Sequence, residues 1–145
     1  MQVKNILIAF FLAAACSAVP PNALQAQELN CQNAVTQTEM TNCARMDWEA
    51  ADKELNAAWE EALVLAEDED AFRDSSSGDN RPGYVETLRD AQGAWISFRD
   101  LECEYRGFQA RGGSMEPMLV NQCLAELTRN RTTQLRNIIQ EMGMQ

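Results

Sequence analysis

Apolar positions recur at helical spacing along three stretches of this chain, and no stretch shows the alternation of a half-buried strand. In the first, Met40, Cys43, Asp47, Ala51, Leu55, Trp59, Ala62 and Ala66 step by three or four, and every member but Asp47 is apolar. Glu49, Lys53, Glu54, Glu60 and Glu61 occupy much of the remainder. Thr36 and Glu39 have the spacing of a capping box, in which each side chain takes the other's backbone amide. These signals predict a helix over 37 to about 68. Glu67, Asp68, Glu69 and Asp70 place negative charge where the helix dipole disfavours it, which predicts the stop there. Residues 75–83 are polar and rich in serine and glycine, a connecting loop with no apolar anchor.

The second stretch starts near Pro82 to Tyr84, and Leu88, Ala91, Trp95, Phe98, Leu101 or Glu102, and Tyr105 give its expected buried face. Gly112 is its expected C-cap. Ser114 is placed to cap a third helix, with Pro117 in the first turn where proline is tolerated. Met118, Cys123, Leu127, Arg131, Leu135, Ile138 and Met142 make that helix's stripe. The pattern predicts an all-α fold, an antiparallel up-down-up bundle of three long helices, preceded by a lead-in over 27–35 that carries Cys31.

The N-terminus changes the picture of where this bundle folds. Lys4 precedes an uncharged apolar run over 6–16, and Ala26 offers a small residue for a signal peptidase. The run is shorter than the roughly 20 apolar residues of a membrane span. Residues 1–26 are expected to be a signal peptide and 27–145 a single helical domain. Ala13, Ala14 and Ala15 before Cys16 also resemble a lipobox, so lipid anchoring at Cys16 is the minor alternative. Cleavage leaves Cys31, Cys43, Cys103 and Cys123, an even number in a small exported domain, which reads as two disulfides. No C-x-x-C pair exists to suggest a redox site or zinc ribbon.

The Gly112-Gly113 turn lies midway between Cys103 and Cys123, and folding about it sets Cys103 level with residue 122. Cys43, near the start of the first helix, then has Cys31 as its nearest free partner. The pairing Cys31–Cys43 and Cys103–Cys123 is therefore preferred over the other two connectivities. The same register brings Asp52, Arg99 and Arg131 toward one layer beside Trp95, a structural ion layer that specifies which helices face each other.

Composition then removes several kinds of chemistry. The chain has no histidine, the commonest general base and metal ligand. After cleavage, 11 Lys+Arg stand against 22 Asp+Glu, a charge that repels nucleic acid and anionic lipid and attracts basic partners. No EF-hand spacing, G-x-S-x-G turn or free thiol suggests a catalytic, metal or cofactor site. No cofactor is expected, and the reading is of a non-enzyme.

Taken together, Cys31, Ala34, Met40 and Cys43, Ala51-Asp52, Leu55-Asn56 and Trp59, Gln92, Trp95, Phe98-Arg99-Asp100 and Cys103, Gly112-Gly113-Ser114, Cys123, Leu127-Thr128, Arg131 and Leu135 resemble the LprI-like lysozyme-inhibitor N-terminal family of bacterial envelope proteins. The resemblance spans about 31–136 and implies an exported helical domain, periplasmic or secreted, and an inhibitor that binds and occludes a lysozyme-type hydrolase. Such a partner is commonly basic, so the acidic chain suits it. A loop entering its acid-lined cleft needs donors or a cation. Arg81 and Tyr84 at one end of the bundle, and Arg111 and Ser114 at the other, are the candidate contacts. The alternative is a periplasmic protein-interaction or envelope-stress module, with methionines such as Met115, Met118, Met142 and Met144 as an adaptable surface.

Overall fold

The computed structural model describes residues 29–74 and 81–144. The expected leader, Cys16 within it, and residues 75–80 of the loop lie outside them. Among the described residues there are three long helices and no strand: α1 (Gln37–Asp74), α2 (Tyr84–Gly107) and α3 (Glu116–Met142). Short 3-10 turns precede α1 at Cys31–Asn33 and follow α2 at Phe108–Ala110.

α1 starts where the capping box puts it. The Glu39 amide donates to Thr36 Oγ1 at 3.2 Å, and the Thr36 and Val35 amides donate to Glu39 Oε2 at 2.9 and 3.0 Å. Those amides hold the Glu39 carboxyl below its ordinary value of 4.5. The helix does not stop near 68 but runs on to Asp74. Its acids are tolerated because Asp70 has a use. The Asp70 carboxylate accepts the Tyr84 and Val85 amides at 2.6 and 3.0 Å, so α1 caps α2 from outside. Gly83, the α2 N-cap residue, makes no side-chain cap of its own, and a Cβ there would sit 2.8 Å from the Asp70 oxygens. Glycine is what lets the carboxylate reach those amides.

α1 lies chiefly against α3. Paired positions on the two rise together: Gln37 meets Met118, Asp47 pairs with Arg129, and Glu54 with Arg136 at 3.8 Å. Paired positions on α2 run the other way against both neighbours, Arg99 with Asp52 and Tyr84 with Asp70 on α1, Gln92 with Arg131 and Cys103 with Cys123 on α3. The buried face of α1 is Ala44, Ala51, Leu55, Ala58, Ala62 and Ala66. Ala51, Leu55, Ala62 and Ala66 are buried as the predicted stripe has them, while Ala44 and Ala58 take the places of Cys43 and Trp59, leaving Asp47 exposed and Met40, Cys43 and Trp59 half-buried. Small side chains along it let the two helices approach closely.

Two apolar clusters form the core. Leu55, Ala58, Ala62 and Leu135 make one, flanked by Trp59, Leu88, Trp95 and Ile139. Cys103, Cys123 and Leu124 make the other, flanked by Trp48, Val120 and Leu127. α3 contributes Cys123, Leu124, Ala125, Thr128, Thr132 and Leu135; Cys123 and Leu135 are buried as expected, while Thr128 and Thr132 are buried beside the half-buried Leu127 and Arg131, and Ile138 is exposed.

α2 departs most from expectation. It buries Gln92, Arg99, Cys103 and Gly107, while Phe98, Leu101 and Tyr105 are 57 %, 67 % and 71 % exposed. Gly107 sits at a close approach to α3, where a Cβ would fall 2.6 Å from Val120 Cγ2. α2 ends at Gly107, so Gly112 is not its C-cap; Gly112 instead adopts φ 75° in the turn that follows. Ser114 does not cap α3. The Glu116 carboxylate does the local work by accepting the Gly112 amide at 2.6 Å.

Candidate functional site

The predicted ion layer is built across all three helices. Arg99, projecting from the buried side of α2, reaches Asp100 at 2.8 Å and Asp52 of α1 at 3.6 Å. Its guanidinium lies 5.1 Å from the centre of the Trp95 ring. Arg131 of α3 lies 5.9 Å from the same ring. Trp95 therefore meets a cation from each of two helices, an attraction strengthened by partial removal of water. Arg131 does not pair with Asp52. It donates Nε to Gln92 Oε1 at 2.9 Å and a terminal N–H to Gln134 Oε1 at 3.2 Å. Burial lowers the Arg131 pKa below that of an ordinary arginine, without the compensation of a bonded carboxylate.

Such a layer fixes helix orientation and offers little chemistry. It holds a buried, carboxylate-paired arginine, a second arginine among amides, and no nucleophile. The four cysteines of the described chain are consumed in Cys31–Cys43 and Cys103–Cys123, with Cα separations of 5.5 and 5.3 Å. Among the described residues no group of three or more Cys, Asp or Glu is placed to hold a metal ion.

The candidate contact residues lie at opposite ends of the bundle. Arg111, Gly112, Gly113, Ser114 and Met115 form an exposed turn, held by the Gly113 amide on Ala110 O at 2.8 Å. Arg111 stacks over Phe108 at 4.3 Å, so its charge is presented from a fixed base. At the other end Arg81 is exposed, but Tyr84 is half-buried under Arg73, whose guanidinium lies 5.3 Å from the ring. The structure thus keeps the two pairs apart.

Sequence reasoning missed an apolar groove of about 590 Å³ at the Arg81 end, lined by Leu65, Leu88, Ile138 and Met142 among others and edged by Arg73 and Arg131. It arises where the ends of α1 and α3 meet the start of α2. The alanines at 62 and 66 leave room there, which is the only trace of it in the sequence.

Comparison with known proteins bears on what these parts serve. The family model described as lysozyme inhibitor LprI matches residues 29–135, a span containing all four paired cysteines and the whole ion layer. A protein of Rhizobium meliloti (strain 1021), described as uncharacterised, is 47 % identical over 128 residues, covering 86 % of this chain and 88 % of its own. No solved structure matches the chain. No helix among the described residues is long and apolar enough to cross a membrane.

Proposed function

Because this chain belongs to the lysozyme inhibitor LprI family, we propose that it is an exported acidic protein that binds a lysozyme-type hydrolase and occludes its cleft. The observation that carries the reading is the extent of the match, which takes in nearly the whole described bundle rather than one motif. The placement of charge supports it. α1 holds twelve acids against three bases, whereas α3 holds three of each. Glu60, Glu61, Glu67 and Asp68 on α1 are all exposed. A basic hydrolase approaching this helix is steered by a one-signed field, which raises its association rate more than its final affinity. Two disulfides suit an oxidising compartment, in keeping with a leader over 1–26 and a periplasmic or secreted location.

Occlusion itself needs a protruding group. The Arg111 turn supplies one, with Arg111 braced on Phe108 and Ser114 exposed beside it. Arg81 offers a second point at the far end. The protein acts in this reading as a binder, with no bond made or broken.

The test is a titration of the purified exported chain against lysozyme activity at low and physiological salt, with Arg81→Ala and Arg111→Ala alongside. Inhibition that weakens as salt rises, and that one of the two variants removes, is the expected result. No inhibition at micromolar excess in either salt would sink the proposal and favour an envelope interaction module, a reading for which the exposed side chains of α2 speak.

A further inference from the structure

The apolar side chains that α2 turns to solvent are not scattered. Ala91, Ala94, Phe98, Leu101, Tyr105 and Phe108 follow one another at steps of three, four, three, four and three. That is an unbroken a/d heptad seam, the spacing by which one helix packs along another. All six are exposed. They run from α2 into the 3-10 turn after it, and Tyr105 and Phe108 stand edge to face at 6.2 Å, so the large end of the seam is preformed. The bundle does not use this face. It holds α2 by the opposite side, through Gln92, Arg99 and Cys103.

The order of sizes along the seam says what covers it. One end is small, with Ala91 and Ala94, and the other is large, with Tyr105 and Phe108. Two copies laid side by side in the same direction would set alanine on alanine at one end and ring on ring at the other, and the pair would splay. Laid in opposite directions about a twofold axis near Phe98 and Leu101, each large residue meets a small one. Ala91 faces the partner's Phe108, Ala94 the partner's Tyr105, and Phe98 the partner's Leu101. Large against small across facing positions is how helix layers interdigitate.

The flanking charges fit the same arrangement. In that register Asp90 comes level with the partner's Gln109, two residues from the partner's Arg111 in the turn beyond, a gap an arginine side chain spans, and the symmetry repeats the approach at the other end. Glu104 comes level with the partner's Trp95, with Ser97 two residues on, and meets no like charge. Arg111 is braced on Phe108, the last residue of the seam, so its charge is held at that end of it. We propose that α2 is a self-recognition surface, on which a second copy of this chain docks antiparallel through the seam from Ala91 to Phe108, closed at each end by Asp90 and the partner's Arg111.

A surface about five turns long but one helix wide is at the small end of specific interfaces, so a dimer with a dissociation constant of about 10 µM or a little more is expected. Sedimentation velocity on the disulfide-bonded exported chain, from about 1 to 100 µM, should show a monomer–dimer equilibrium. Leu101→Glu buries an unpaired carboxylate twice per dimer and should raise the dissociation constant at least about 100-fold, with the helical circular dichroism unchanged. Asp90→Arg and Arg111→Asp should each weaken the dimer about tenfold, and the two together should restore it to within about threefold. That recovery is specific to the antiparallel register. A chain monomeric at 100 µM overturns the proposal, as does a dimer indifferent to Leu101→Glu, or a double charge swap that stays as weak as the singles. A monomer in which Leu101→Glu instead abolishes lysozyme binding would assign the seam to the hydrolase and overturn it equally.

Discussion

α1 and α2 are helices of similar overall polarity in one bundle, yet they bury opposite kinds of face. α1 meets α3 through Ala44, Ala51, Leu55, Ala58, Ala62 and Ala66, a strip with no polar side chain in it. α2 meets the same bundle through Gln92, Arg99, Cys103 and Gly107 and leaves Phe98, Leu101 and Tyr105 outside. Apolar area and close packing are what hold α1 to α3. α2 is held at points: a disulfide near its end, the Arg99–Trp95–Arg131 layer in its middle, and the Asp70 carboxylate on its first amides. A helix attached by directional bonds has its apolar side chains to spare for another surface.

That contrast can be broken at its strongest point first. Leu135 is fully buried in the cluster that joins α1 to α3. Leu135→Ala should cost about 3 kcal/mol and lower the melting temperature by roughly 10–20 °C in a thermal scan followed by circular dichroism. A loss under about 1 kcal/mol would mean that area is not what holds this pair.

Next comes the staple of α2. Removing the Cys103–Cys123 bridge as Cys103→Ala with Cys123→Ala should cost about 3 kcal/mol, since the bridge closes a 20-residue separation and both sulfurs are buried. Hydrogen exchange should show protection lost first in α2, with α1 and α3 still protected. Uniform loss across all three helices would show that α2 is not the separately attached element.

The Asp70 clamp gives a pH-dependent version of the same test. The Val85 and Tyr84 amides hold the Asp70 carboxyl below its ordinary value of 3.8. A depressed folded value means that the clamp's contribution is whole above 3.8 and is lost as the pH falls through the lowered value. Asp70→Asn should therefore lower the denaturant midpoint by the same amount from pH 7 to about pH 4, and the gap to the native chain should close on further acidification. A gap that persists at about pH 2 would show that the carboxylate's charge is not what secures the start of α2.

Which features could be read from the sequence follows from the same division. The capping box was legible because Thr36 and Glu39 satisfy each other within three residues. The bridges were legible because the Gly112-Gly113 turn fixes the level of Cys103 against Cys123, and the layer because that register also sets Arg99 and Arg131 around Trp95. The burial phase of α2 was not. Periodicity identifies an apolar face but not the side of it that meets the bundle, and Arg99 and Gln92 turn inward only because Asp52 and Arg131, remote in sequence, await them. The overrun of α1 to Asp74 has the same cause, since the groups that use Asp70 lie 14 and 15 residues on.

The smallest effect is the most telling about α2. A phenylalanine in a core costs about 3–5 kcal/mol when truncated, whereas a surface change away from special features stays within about 0.5 kcal/mol. Phe98 fits the helical spacing of a core residue and has the exposure of a surface one. Phe98→Ser, measured at about 1 µM or less where the chain is monomeric, should change unfolding free energy by no more than about 0.5 kcal/mol. Repeated at about 100 µM, the same substitution should lower the melting temperature, because a dimer stabilises the folded chain in proportion to its occupancy and the variant has lost that term. A cost that depends on concentration places the side chain between molecules. A cost of several kcal/mol already present at 1 µM would return Phe98 to the monomer's interior and remove the difference between the two helices.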